Sequence, residues 1–114
     1  MNWGKVFYIF FTLMSLTTTI SFIYEPIGIS LFIAASTNII STILKFGIRN
    51  LLAAELLSGS LVADLHLIPA FFIFQLYDKG YENISISLML GAIVANIYTL
   101  IISIIESAKT REDF

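Results

Sequence analysis

Apolar residues in this sequence fall into four blocks, at about residues 3–24, 27–48, 51–77 and 84–105. Each is as long as a bilayer core is thick, because a helix rising ~1.5 Å per residue needs ~20 residues to cross ~30 Å of hydrocarbon. Only short polar breaks separate the blocks, so consecutive helices are expected to run antiparallel. Charged residues make up 12% of the chain and hydrophobic residues 58%. A soluble domain carries about 25% charged residues, so these charges are too few to coat a globule. The expected fold is all-α: a single integral-membrane four-helix bundle over residues 1–114, with a polar C-terminal tail at 106–114.

The first block carries Trp3 and Tyr24 where an aromatic belt would place them. Its end, TTTISFIYE, has no small-residue cleavage site of the kind that follows a signal peptide. Glu25-Pro26 stops it, since proline disfavours helix at the residue before it and suits the first turn of a new one. In the second block Ala34, Asn38, Ser41 and Thr42 share one helical face. That block ends in Lys45 and Arg49, whose long side chains are expected to snorkel to the headgroups. In the fourth block Ser87, Gly91, Ala95, Thr99 and Ser103 recur every fourth residue. Such a small-residue stripe is a helix-packing face, within the bundle or between protomers.

The third block, LLAAELLSGSLVADLHLIPAFFIFQLY, is longer than the bilayer core and contains Glu55, Asp64 and His66. It is expected to tilt, or to kink or break near Gly59 or Pro69, where proline withdraws a backbone donor. Ionisable residues at such depth are expensive and usually face a bundle interior, a partner or a water-filled cavity. Asp64 falls at the same depth as Asn38 and Asn96, with Thr12 and Ser15 of the first block near that level. The three helices thus bring one polar layer to the bilayer centre. Asp64 is either a protonated carboxyl bonded to Asn38 or Asn96, or an ion or proton site. His66, two residues on, does not face Asp64 on an unbroken helix, and the simpler expectation is a neutral ring bonded to a carbonyl. Glu55 shares a face with His66 three turns away, with Gly59 and Val62 between them. That face is a candidate water-accessible stripe, although a salt bridge from Glu55 to Lys45 or Arg49 is the simpler expectation.

Four spans place Lys5, Lys45, Arg49, Lys109 and Arg111 on one side and Lys79 alone on the other. By the positive-inside rule both termini are expected to be cytoplasmic. The net charge of −2 argues against nucleic acid, which needs a basic face. No cysteine and one histidine leave no thiolate or multi-histidine metal site. There is no potassium-filter sequence, no phosphate-binding glycine motif and no nucleophile–base signature. Neither an enzyme nor a cofactor is therefore expected.

The run Arg49-Asn50-Leu51-Leu52-Ala53-Ala54-Glu55, with Ala63-Asp64-Leu65-His66-Leu67-Ile68-Pro69 and the opening Met1-Asn2-Trp3-Gly4-Lys5, resembles an uncharacterised family of small inner-membrane proteins from campylobacter-type bacteria. The resemblance implies a bacterial inner-membrane location and no activity. In length and helix number the chain is also similar to small multidrug-resistance transporters. Their essential acid lies in the first helix, and here the first span has none.

Two function classes follow. One is a small channel or transporter for protons or cations, with Asp64 central and His66, Glu55, Asn38 and Asn96 on the pathway. The other is a non-catalytic membrane subunit that packs against a larger transporter or respiratory complex. Four short helices leave little interior for a pathway, so a homo-oligomer or a partner membrane protein is expected in the bilayer.

Overall fold

The computed structural model describes residues 3–47, 52–76 and 82–110. They form four helices: α1 (Trp3–Tyr24), α2 (Gly28–Phe46), α3 (Ala53–Leu76) and α4 (Glu82–Thr110). Arg49, the segment around Lys79-Gly80 and the tail from Arg111 onward lie outside the described residues. The turn between α1 and α2 is tight, as Glu25-Pro26 requires. Ile27 is extended there, and its carbonyl accepts from the backbone N–H groups of Ser30 and Leu31 to open α2. The helices pack as an antiparallel ring, α1 on α2, α2 on α3, α3 on α4 and α4 on α1, with the α1–α4 seam the slightest. All four are long and apolar enough to cross a membrane. The long axis of 49 Å suits a bilayer of about 40–45 Å with its headgroups.

The faces are inverted relative to a soluble bundle, whose apolar stripe would point inward. On α1 the buried side is Lys5, Tyr8, Thr12, Ser15, Thr19 and Phe22, whereas Phe7, Phe10 and Leu13 point outward. On α2 the buried side includes Asn38, Ser41, Thr42 and Lys45, whereas Ile29, Phe32 and Ile43 are exposed. An apolar exterior around a polar interior fits lipid as the surrounding medium.

The interior itself is divided along its length. Toward the α1–α2 turn, Phe22, Leu31, Ala34, Ala35, Leu67, Ala70, Met89 and Ala92 form one apolar cluster. Phe22 and Phe74 meet edge-on there, with centroids 5.1 Å apart. Toward the opposite end the buried side chains are chiefly polar: Lys5, Thr12, Ser41, Thr42, Lys45, Ser60, Ser103 and Glu106.

The expected break in the third span is corrected: α3 runs as one helix through Gly59 with Pro69 inside it. Pro69 and Leu65, whose carbonyl loses its usual donor, are both exposed. The lost bond therefore lies off the packed face. The polar tail does not begin at residue 106 either, because α4 continues to Thr110. Glu106 is buried and accepts a hydrogen bond from Lys5 Nζ at 2.9 Å, tying the end of α4 to the start of α1.

Candidate functional site: a buried lysine–aspartate network

Lys45 sits one residue before the end of α2, yet it does not reach the headgroups. It is 4% exposed, and its side chain runs back along the helix. Its Nζ donates to Ser41 Oγ at 2.9 Å, Ser60 Oγ at 3.1 Å and Thr12 Oγ1 at 3.2 Å. The Tyr8 ring centroid lies 5.3 Å from Nζ, within cation–π range. An ammonium has three N–H donors, and hydroxyls on α1, α2 and α3 take one each. The expected snorkelling is thus corrected, and the reason is directional. Every Cα–Cβ bond tilts toward its helix N-terminus, which for a lysine at the C-terminal end of a span means toward the bilayer centre. Facing inward, Lys45 also leaves Glu55 without the expected salt bridge to it, and Glu55 is exposed.

Asp64, at mid-span on α3, is bonded through both oxygens. Oδ1 accepts from Asn38 Nδ2 at 2.6 Å and Oδ2 accepts from Thr42 Oγ1 at 2.6 Å. Asn38 Nδ2 also donates to the Ser60 carbonyl at 3.3 Å. Thr42 Oγ1 lies 2.7 Å from Ser60 Oγ. A hydroxyl has one hydrogen to give. With the Thr42 hydrogen on the carboxylate, the Ser60 hydrogen goes to Thr42, and Ser60 in turn accepts from Lys45. That assignment gives the order Lys45 → Ser60 → Thr42 → Asp64, in which two hydroxyls stand between the amine and the carboxyl group; the Asn38 carbonyl, 3.0 Å from Thr42 Oγ1, is a second acceptor within reach of the Thr42 hydrogen. Thr12 and Ser41 close the other side: their hydroxyls lie 2.6 Å apart, one donating to the other, and the Tyr8 carbonyl within reach of both accepts from the one whose hydrogen is left.

The other residues expected on a pathway lie elsewhere. Asn38 joins Asp64, but Asn96, 1% exposed, makes no hydrogen bond to either among the described residues. His66 is half-buried, with Nδ1 2.8 Å from the Val62 carbonyl. A carbonyl only accepts, so Nδ1 carries the hydrogen in that contact. Gly59, Val62 and His66 line an outward-opening groove of about 620 Å³ between α3 and α4, together with Gly91, Ala95 and Tyr98. The stripe they form with Glu55 therefore faces the bundle exterior, not its centre.

The small residues of α4 are used within the chain. A Cβ on Gly91 would strike the His66 ring, and one on Gly59 would strike Thr99 and Tyr98. Ala95, Thr99 and Ser103 are buried. Ser87 is exposed and is not part of the packed face. Thr99 and Ser103 spend their hydroxyls on the carbonyls four residues back. No group of three or more His, Cys, Asp or Glu side chains converges among the described residues.

Sequence reasoning missed Lys45 and Ser60 as site residues, and it missed the Lys5–Glu106 pair. The signal for Lys45 was present: it lies four residues after Ser41 and seven after Asn38, continuing their face.

The chain matches no curated protein and no solved structure. A family of unknown function does match, over residues 25–107, a stretch that holds Asn38, Thr42, Lys45, Ser60 and Asp64 and leaves out α1 up to Tyr24. On that match the chain belongs to DUF6394, a family of unknown function.

Proposed function

We propose that this small multi-pass membrane protein moves protons, with Lys45 and Asp64 as its exchange unit. The observation that carries the reading is the hydroxyl chain between them. A concerted shift along it moves one proton from Lys45 Nζ to Ser60 Oγ, the Ser60 hydrogen to Thr42 Oγ1, and the Thr42 hydrogen to Asp64 Oδ2. The ion pair becomes a neutral pair with no atom gained or lost, and the reverse shift restores it. Protons suit this site better than metal cations, because both Asp64 oxygens are already engaged by protein donors. We assign no catalytic chemistry to it.

The basic residues near this end argue for its facing the cytoplasm, with both termini there. The resemblance to inner-membrane proteins supports a bacterial inner membrane.

One observation favours a second reading. The apolar cluster from Phe22 to Ala92 seals the other half of the bundle, as suits a non-catalytic subunit beside a larger transporter or respiratory complex. Transport through a single chain requires that half to open or a second chain to complete the route. Liposomes containing only this protein separate the readings. The proton reading expects an imposed pH gradient to collapse faster than in empty liposomes, and Asp64→Asn to abolish the effect while assembling normally. A wild-type protein that leaves the gradient intact favours the subunit.

A further inference from the structure

Asn38 and Asn96 stand at one depth on helices that face each other across the bundle. Gly59 packs against Thr99, and His66 against Gly91, so Asn96 is level with residues 61 and 62 of α3. Asn38 bonds to Ser60 and Asp64, which bracket the same level. The side chains are 0% and 1% exposed. Asn38 turns its Nδ2 to two acceptors, the Asp64 carboxyl and the Ser60 carbonyl, which directs its Oδ1 away from both. Asn38 Oδ1, Asn96 Oδ1 and Asn96 Nδ2 have no hydrogen-bond partner among the described residues. Buried polar groups are paired in folded proteins, with protein or with ordered water.

We infer that internal water at the centre of the bundle bridges Asn38 and Asn96. The chemistry of the three atoms selects water. A cation suits the two carbonyl oxygens and repels the Nδ2 hydrogens, and an anion does the reverse. Water donates to the oxygens and accepts from the amide, and buried waters make about three hydrogen bonds. The buried residues nearest in register, Ser15, Ala34, Ser60 and Ala63, are small, so no bulky side chain fills the axis there. The water joins α4 to the hydrogen-bonded network that α1, α2 and α3 already share. The inference does not depend on whether the protein moves protons.

Water-to-protein magnetisation transfer tests this by NMR, on the full chain with isotope-labelled asparagine in lipid nanodiscs. Transfer from water to the Asn96 side-chain amide is expected in the wild type. Asn96→Leu is expected to remove transfer to the Asn38 side chain as well, because the two share the water. No transfer at Asn96, or transfer to Asn38 that is unchanged in Asn96→Leu, overturns the inference. The wild-type spectrum decides the first point without any variant, and Asn96→Val serves for the second where leucine prevents assembly.

Discussion

Lys45 is where the meaning of single residues changes most. A lysine near a span end is ordinarily counted as a headgroup anchor, and here it closes a network that begins at mid-span with Asp64. On the proton reading proposed above, Thr42 and Ser60 are relay groups whose hydroxyls matter more than their volume. Thr42→Val keeps the shape and removes the hydrogen passed to Asp64, whereas Thr42→Ser keeps that hydrogen. We expect Thr42→Ser to collapse a pH gradient in liposomes at close to the wild-type rate, and Thr42→Val to lose most of that rate while still assembling. Equal rates in the two variants would show that protons do not pass through this hydroxyl. The depth of Asp64 was legible in the sequence, because it follows from helix length, and so was an asparagine partner, although the choice of Asn38 over Asn96 was not. The inward course of Lys45 was less so, since it depends on which way a flexible chain turns at a helix end. The hydroxyl partners on α1 and α3 become visible only once those helices are docked.

Between elements, α3 and α4 approach over glycine. His66 occupies the space beside Gly91, and Tyr98 and Thr99 the space beside Gly59. Gly91→Leu should therefore destabilise the bundle by about 1–3 kcal/mol, the usual cost of overpacking. Thermal unfolding in detergent measures it. Ser87→Leu, at an exposed position of the same stripe, should change little. Combining Gly91→Leu with His66→Ala should recover part of the loss, because the ring is what the new side chain strikes. Without that recovery, the clash lies elsewhere. Number, order and approximate limits of the helices were legible from apolar block length alone. The end of α4 was not, because a polar segment reads as a tail until its buried partner is known, and that partner, Lys5, is at the other end of the chain. The unbroken course of α3 was equally hidden, since proline marks a lost hydrogen bond without saying which side of the helix carries it.

For the whole molecule, the division of the interior matters most: a polar half that ends in charges, and an apolar half that is sealed. On the proposed orientation, with both termini cytoplasmic, the polar half faces the cytoplasm. The chain has no cysteine, so single cysteines at Asn83 and Ser107 report orientation cleanly. An impermeant thiol reagent applied to intact cells should label position 83 and spare 107, and the opposite pattern would invert the assignment. The central claim is that Lys45 and Asp64 form one buried unit, and a double-mutant cycle on equilibrium unfolding in mixed micelles tests it most directly. Removing one member of a buried charge pair leaves the other uncompensated, at a cost of about 3–5 kcal/mol, whereas removing both is often near neutral. Lys45→Met and Asp64→Leu should each destabilise the bundle on that scale, and the double variant should recover most of the loss. If the two losses simply add, Lys45 and Asp64 are independent residues and the network does not couple them.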